Sequence, residues 1–379
     1  MKANNEIRVA LMYGGISHEH EISLLSGERV YRELIKKEFS VTPIFIAKSG
    51  KWYIQDNEEN SPLCVGEDPE NLLFLLPSGG IYHKGVHLQL DVAIPITHGK
   101  GGEDGILQGL LEIIHMPYIG PSPHSSMMGM HKRVAKLIAQ EASIPVVPHI
   151  SLSLYDSTQL TSHCSISKNI AHIVGYSEYK MSTLSDLFSV ITSRLGSSLI
   201  IKAEDEGSSV GVEVFREESE ESFYEKLMKV FTYSSLVLVE SYISNMVEIE
   251  CGVFKGDHII ASNPKVIANP KTENPHFLSY TQKYFSAFPF SIDSSFPLSH
   301  SISSLIKEHA TRMSELLLIE GFARCDFFYQ KETQSIFFNE INTIPGLTNT
   351  SIYPLLMEEI GYPLGDLLTL LIYQKLGEE

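Results

Sequence analysis

Apolar and polar residues alternate most clearly near the end of the chain. The alternation predicts one strand over residues 323–330 and a second, rich in Ile and Phe, over residues 336–342. The two strands are separated by a short polar loop, so we predict a hairpin in which Gln330 faces Ile336. A loop that contains Gly and Pro follows the second strand.

This pairing places Asp326 opposite Glu340, and Asn342 and Arg324 are predicted on the same face, because side chains alternate along a strand and opposite residues share a face. Two adjacent carboxylates repel each other unless a cation lies between them. Oxygen ligands favour Mg²⁺, which completes its coordination shell with phosphate oxygens. An exposed polar face of an edge hairpin explains the same pattern, and the hairpin alone leaves both interpretations open.

The beginning of the chain alternates between strands and helices. Residues 7–13 form an apolar run that ends at two glycines, and helical spacing of apolar residues follows over residues 22–34. Residues 91–97 form another apolar strand, which ends in the sequence HGKGGEDG. Ligands bind at the carboxyl ends of strands in open α/β sheets, so His98 is either a ligand contact or a surface histidine. Glu19 either binds a ligand or complements the dipole at a helix start.

A lysine, Lys202, ends the apolar strand predicted over residues 198–203. Burial of a lysine is costly unless the ammonium group meets an anion or an acceptor. The next residues include Gly207 and Gly211 with two serines between them, which allows backbone N–H groups to approach a phosphate. The sequence is neither a P-loop nor a Rossmann turn. An ordinary hairpin turn fits equally well in isolation, but the adjacent lysine favours a loop that covers phosphate.

The strand predicted over residues 236–240 leads into a short linker that can present backbone groups to an adenine edge. Residues 247–254 alternate, so Glu248 and Glu250 are predicted on one face. A further strand is predicted over residues 259–266.

Two stretches, residues 156–179 and 272–293, have little periodicity. The first is interpreted as a surface excursion with no functional account. The second contains Lys283 and Tyr284, and a loop of this length is typical of a lid or binding loop.

Size and charge limit the remaining possibilities. A chain of 379 residues suggests two or three domains of ~150 residues each. The net charge of −17 argues against nucleic acid and anionic membrane as partners, although local basic residues still allow an anionic cofactor. The four cysteines are widely spaced and show no metal pattern, which favours reduced thiols in a cytoplasmic protein. The sequence shows no secretory signal and no apolar run long enough to span a membrane.

In their order and spacing, five sequence blocks resemble the D-alanine–D-alanine ligases of the ATP-grasp superfamily. The blocks are GGISHEHEISLLSG, HGKGGEDGILQG, IIKAEDEGSSVGV, the loop with Lys283 and Tyr284, and ARCD…FFNEINTIPGLTNTS. The resemblance extends over residues 7–376. It implies an α/β, three-domain ATP-grasp architecture with an N-terminal open parallel-sheet domain (1–125), a central domain (126–243) and a C-terminal metal domain (244–379).

The resemblance also implies a two-step reaction for peptidoglycan precursor synthesis. ATP phosphorylates the carboxylate of one D-alanine, and the amine of a second D-alanine attacks the acyl phosphate. The implied metal ligands, for Mg²⁺ or Mn²⁺ and two ions in all, are Asp326, Glu340 and Asn342. The implied ATP contacts are Lys132, Lys202, Glu206, Gly207, Ser208, Ser209, Val210, Glu240, Ser241, Tyr242, Ile243, Glu248, Phe338 and Asn339.

For the amino-acid substrates, the resemblance implies a hydrogen-bonded triad of Glu19, Ser208 and Tyr284, in which Glu19 orients the first ammonium group and Tyr284 closes the lid. Arg324 and the backbone N–H of Gly346 stabilise the tetrahedral intermediate. The implied substrate contacts are His98 in the first pocket, and Lys283 and Ser351 at the second carboxylate.

The sequence departs from the family pattern at three places. Residues 156–179 are an insertion, and the segment 244–247 before Glu248 is one residue longer than usual. Tyr284 stands where ligases that make D-alanyl-D-lactate carry histidine, which favours an amine as second substrate and leaves D-serine open. A nucleotide-binding module without ligase activity is the alternative from another class, but such a module is expected to lose Arg324 or a metal carboxylate. Family members suggest a homodimer.

Overall fold

The first sheet has a parallel centre, as predicted for the N-terminal region. In the computed structural model, which describes residues 2–56, 63–153, 184–268, 291–293 and 295–377, its strand order is β3-β2-β1-β7. Strand β1 pairs in parallel with β2 and β7, and β3 is antiparallel to β2 at the edge. The strands are β1 (Arg8–Gly14), β2 (Ser40–Ile46), β3 (Trp52–Ile54) and β7 (Val92–Ile96). Helix α1 (His20–Lys36) packs on β1, and helix α2 (Ile106–Ile113) follows β7.

A small antiparallel sheet, which the apolar pattern does not predict, lies between β3 and β7 in the chain. It contains β4 (Leu73–Leu76), β5 (Gly80–His83) and β6 (Val86–His87).

The second sheet is antiparallel, in the order β10-β9-β11-β8. Its strands are β8 (His149–Ser153), β9 (Ser198–Ala203), β10 (Val212–Arg216) and β11 (Leu236–Ser241). Helices α5 (Leu184–Leu195) and α6 (Glu220–Phe231) cover one face of this sheet. Buried side chains such as Phe215 and Phe223 fill the space between the sheet and these helices.

The third sheet contains the predicted hairpin, in the order β15-β14-β12-β16-β17, with β13 also paired to β12. Its strands are β12 (Met246–Lys255), β13 (Ile259–Ala261), β14 (Lys265–Ala268), β15 (Ser291–Ile292), β16 (Phe322–Gln330) and β17 (Ser335–Asn342). The prediction of one strand over residues 259–266 is wrong, because β13 and β14 pair with different parts of β12. Ser262 lies between them. Its N–H donates to the Gly252 carbonyl at 2.8 Å, and its hydroxyl accepts a hydrogen bond from the Gly252 N–H at 3.0 Å.

Helices on both sides hold the third sheet in place. Helices α3 (Pro123–Met130) and α4 (Lys132–Glu141) pack against β17, and α7 (His300–Leu316) packs against β12 and β13. The closing helices α8 (Ile352–Glu359) and α9 (Leu364–Leu376) share one hydrophobic core with the first sheet and with parts of β12 and β16. The domain boundaries at 125/126 and 243/244 stay predictions. None of the helices in the described ranges is long and apolar enough to cross a membrane.

Candidate active site

The hairpin of the third sheet has a bulge that the sequence does not reveal. Gln330 faces Ser335, so the predicted facing of Gln330 and Ile336 is wrong by one residue. The pairing shifts between Asp326 and Phe327, and Asp326 faces Glu340 as predicted. Asn339 is the extra residue, because Phe338 and Glu340 on either side of it take the two successive partners. A bulge of this kind redirects a side chain, and here it turns Asn339 toward the second sheet.

Asp326 is the centre of a charged cluster on this face. Its carboxylate accepts two hydrogen bonds from the Arg324 guanidinium, both at 2.7 Å, and one from the Asn342 amide at 2.9 Å. Arg324 also lies 3.3 Å from Glu250 Oε2, measured from Nε. The bidentate contact with Asp326 fixes the plane of the guanidinium. The positive charge of Arg324 is balanced by the buried carboxylates of Asp326 and Glu250.

The same face offers enough oxygen ligands for a divalent cation. Glu248, Glu250 and Asp326 place carboxylate oxygens within 4.8 Å of one another, and Glu340 is the strand partner of Asp326. Carboxylate and amide oxygens are the ligands that Mg²⁺ prefers, and Mg²⁺ needs few of them from protein when phosphate supplies the rest. The residues present therefore fit the predicted metal, with Glu248 and Glu250 as additional carboxylates that the implied ligand set lacks.

A cleft between the second and third sheets lies beside this cluster. It encloses about 1070 Å³, including open solvent at its mouth. Most of its described lining was predicted as ATP contacts, namely Lys132, Lys202, Glu206, Gly207, Ser208, Ser209, Glu240, Ser241, Tyr242, Ile243, Glu248 and Asn339. Apolar side chains that the sequence analysis missed complete the lining, including Val147, Ile200, Met246 and Phe328.

A row of buried charges lies partly in the wall of the cleft and partly behind it. Glu240 Oε2 lies 2.8 Å from Lys202 Nζ, and Glu240 Oε1 lies 2.9 Å from the Nζ of Lys136, which the sequence analysis did not single out. Lys202 also donates to Asn339 Oδ1 at 3.3 Å. Burial alone would raise the pKa of Glu240, but the two ammonium groups lower it to about 2, so the carboxylate is ionised. The anion that meets Lys202 within the protein is therefore Glu240.

The loop between β9 and β10, residues 204–211, is both a hairpin connection and one wall of the cleft. Ser208 and Ser209 have positive φ angles of 48° and 64°. Left-handed backbone is uncommon for residues other than glycine, and it turns successive N–H groups in one direction. Lys132 donates to the Glu206 carbonyl and lies 3.6 Å from Glu340, so it connects this loop to the hairpin.

This loop meets the first sheet at Glu19. The Ser208 hydroxyl donates to the Glu19 carboxylate, which is buried. Glycines on two loops permit this approach, because a Cβ at Gly99 or Gly207 would lie only 2.5 or 3.0 Å from Glu19 Oε2. Two of the three triad members are therefore in contact, and Tyr284 lies outside the described residues.

His98 is buried and connects the first sheet to the loop after the hairpin. Its Nε2 lies 3.0 Å from the Ser26 hydroxyl, and its Nδ1 lies 3.0 Å from the Ile344 carbonyl. Ser26 also accepts a hydrogen bond from the Leu347 N–H at 3.2 Å. Both ends of the short segment that contains Gly346 are thus held by side chains of the N-terminal region.

Comparison with known proteins identifies the family. A family model described as the D-ala D-ala ligase N-terminus matches residues 8–121, and one described as the D-ala D-ala ligase C-terminus matches residues 166–373. The chain belongs to the D-alanine–D-alanine ligase family. The protein is an ATP-dependent ligase that forms D-alanyl-D-alanine for cell-wall synthesis, and it has the ATP-grasp fold.

Relatives within the D-alanine–D-alanine ligase family match nearly the whole chain. A D-alanine–D-alanine ligase of Borrelia turicatae is 32% identical over 96% of this chain and 92% of its own length. One of Lactobacillus johnsonii is 30% identical over 97% of this chain and 94% of its own length. The solved D-alanine–D-alanine ligase of Coxiella burnetii has a TM-score of 0.77 at 28% identity, and covers 98% of this chain and 94% of its own. The VanG D-Ala:D-Ser ligase of Enterococcus faecalis has a TM-score of 0.78 at 28% identity, and covers 97% of this chain and 99% of its own.

Two residues implied by the ligase motifs are placed differently from the others. The side chain of Phe338 is fully buried in the core of the third sheet, where it packs against Phe327, so it does not face the cleft. Val210 is absent from the described lining, although its N–H closes the turn of the loop on Gly207. Ser351 lies beside Gly346, where an added Cβ would be 2.8 Å from the serine hydroxyl. Lys283 lies outside the described residues.

Proposed function

We propose that the cleft and the buried groups around Glu19 form a single active site in which ATP activates one D-alanine for attack by another. The observation that carries this proposal is the hydrogen bond from Ser208 to Glu19. It joins the loop that covers phosphate to the loops that surround the first substrate. Phosphoryl transfer depends mainly on positioning and charge neutralisation, so such a junction is what the first step requires.

In this proposal the nucleotide lies between the second and third sheets. The adenine edge meets Glu240 and the backbone of Ser241–Ile243, and Glu248 meets the ribose. Lys132 and Lys202 face the phosphates, together with the N–H groups of residues 207–210. The apolar lining of the cleft supports the position of the base, since nucleotide bases bind between apolar side chains with few polar anchors.

Divalent metal, Mg²⁺ or Mn²⁺ and two ions in all, would be held by Asp326, Glu340 and Asn342. When bound, it supplies positive charge that neutralises the phosphate oxygens. The bidentate contact with Arg324 and the hydrogen bond from Asn342 already fix the orientation of the Asp326 carboxylate.

Peptide-bond formation would take place between the hairpin and the loop that follows it. Glu19 holds the ammonium group of the first D-alanine, and His98 fixes the loop above it from its buried position. Arg324 and the Gly346 N–H stabilise the oxyanion of the tetrahedral intermediate, and Ser351 with Lys283 holds the second carboxylate. Tyr284 completes the triad when the lid closes.

The decisive experiment measures ADP release and dipeptide formation by the purified protein. We expect ADP release to require D-alanine and Mg²⁺, to be absent with L-alanine, and to match the dipeptide in amount. ADP release without dipeptide would contradict the proposed second step. The Tyr284→Phe variant should lose turnover while its dissociation constant for ATP stays close to that of the wild type.

D-serine is a second candidate for the second substrate. The structural similarity to a D-Ala:D-Ser ligase, with a TM-score of 0.78, is close to that to a D-alanine–D-alanine ligase, with a TM-score of 0.77, which favours testing D-serine. A pocket rejects one added hydroxyl only weakly unless it contains a group that opposes it. Mass spectrometry of the products from mixed D-alanine, D-serine and D-lactate would rank the three directly.

We also propose a cytoplasmic location, supported by the free thiols of the described cysteines. We propose a homodimer as well, supported by the family resemblance. Sedimentation velocity would test the dimer, and a monomer over the working concentration range would refute it.

A further inference from the structure

Lys136 is a fully buried cation that the proposed mechanism does not use. It lies on α4 with none of its surface exposed, and it is absent from the described lining of the cleft. Lysine is almost never fully buried unless it is paired, and a buried ion pair contributes little net stability compared with apolar packing. Its presence behind the cleft therefore calls for a reason other than stability.

The partner of Lys136 is the carboxylate that also binds Lys202. Glu240 has one oxygen 2.9 Å from Lys136 and the other 2.8 Å from Lys202. Two cations and one anion leave one net positive charge at the inner end of the cleft. Without Lys136, Glu240 and Lys202 would form a neutral pair, and both members of that pair line the cleft.

We propose that Lys136 is a positioning residue for nucleotide binding: it neutralises Glu240 from behind, so that the charge of Lys202 remains available to the phosphates. This inference rests on the proposed placement of ATP in the cleft. The second and third sheets meet here. Lys136 lies on α4, which packs against β17 of the third sheet, whereas Glu240 and Lys202 belong to the second sheet. The ion pair therefore also fixes Glu240 relative to the third sheet.

Burial and the neighbouring charges shift the pKa values of both Glu240 and Lys136. The two lysines lower the pKa of Glu240 to about 2, so the carboxylate needs a counter-cation at any working pH. Burial lowers the pKa of Lys136, and Glu240 opposes that effect.

The test compares the binding of ADP with that of adenosine, which lacks phosphate, by calorimetry in the presence of Mg²⁺. In Lys136→Met and Lys136→Gln we expect the dissociation constant for ADP to rise roughly tenfold, the scale of one unit charge acting over about 12 Å at an effective dielectric constant of about 20. The constant for adenosine should change by less than about twofold, because adenosine itself carries no charge. Equal losses for both ligands would overturn the inference, as would wild-type affinity for ADP in the glutamine variant.

A double variant keeps the inference testable if a single one fails to fold. The double variant Lys136→Met with Glu240→Gln removes the buried cation and the buried anion together. The charge of Lys202 then remains as the one net positive charge of the group. We expect the ratio of the adenosine to the ADP constant to return to within about threefold of the wild type. A ratio that stays as low as in Lys136→Met would overturn the inference.

Lys229→Met is the matched control. Lys229 is an exposed lysine on α6 that pairs with Glu213 of β10. It changes the net charge equally and should leave both constants unchanged. If the wild type itself binds no ADP, the proposed nucleotide site fails, and that outcome is distinct from failure of the role of Lys136.

Discussion

Replacement of Arg324 by lysine tests the proposed catalytic centre most directly. The guanidinium makes two contacts of 2.7 Å with Asp326 and lies 3.3 Å from Glu250. Lysine keeps the charge but offers a point ammonium instead of a planar fork, so it cannot satisfy both carboxylates and also face the intermediate. One preorganised donor to the developing oxyanion is worth about 3 kcal/mol, which predicts a fall in kcat of about 10²–10³.

A second replacement separates catalysis from stability. Arg324→Met would leave Asp326 and Glu250, which are direct strand partners, without their shared cation. Removal of one partner from a buried ion pair typically costs about 3–5 kcal/mol of unfolding free energy. We expect Arg324→Met to be clearly less stable than Arg324→Lys, and both variants to lose turnover.

The assay measures kcat by ADP release, the ATP dissociation constant by calorimetry, and unfolding free energy by denaturant titration. For Arg324→Lys we expect the loss in kcat with little change in ATP binding, because the guanidinium is not part of the described lining of the cleft. A kcat within about threefold of the wild type would refute the assignment of the oxyanion donor.

Three further predictions concern other parts of the site. Glu340→Gln should nearly abolish turnover while the fold remains intact, and chelation of Mg²⁺ should do the same to the wild type; normal activity in the variant would refute the metal assignment. Ser26→Ala removes the acceptor of the Leu347 N–H, so it should lower kcat about tenfold with ATP binding unchanged, and an unchanged kcat would show that this contact does not position the loop. Glu204 raises the pKa of His131, so the contact between protonated His131 and Glu204 stabilises the folded protein. This stabilisation is complete below pH ~6.5 and is lost as the pH rises through the higher folded-state pKa of His131. The melting temperature of the wild type should therefore fall toward that of His131→Gln above this pH, and parallel curves would contradict the coupling.

Local regularity explains what could be predicted. Side chains alternate between Glu340 and Asn342, so the shared face of these two residues follows from the sequence. The strand over residues 92–96 lies within one residue of the predicted range 91–97 at each end, because a continuous apolar run followed by a glycine-rich loop marks a buried strand. The order of the motifs indicated the family before any contact was known.

The positions of single side chains depend on partners that are distant in sequence. The predicted pairing is wrong by one residue at the loop, where Gln330 faces Ser335. The bulge at Asn339 shifts the register back by one residue, so Asp326 still faces Glu340, and only the strand pairing reveals this shift. His98, expected to line a pocket, is buried against Ile344, 246 residues away.

Periodicity indicated the strands and helices, and the order of the motifs indicated the family, its fold and most charged residues of the site. Which of these charges meet depends on how the chain folds. No local pattern distinguishes Lys136, and its importance appears when α4 brings it against Glu240. Alternation places Glu250 on a face with Glu248, but only strand pairing places it beside Asp326. The energy of a charge depends on its burial and on its nearest counter-charge, and neither property is local in the sequence.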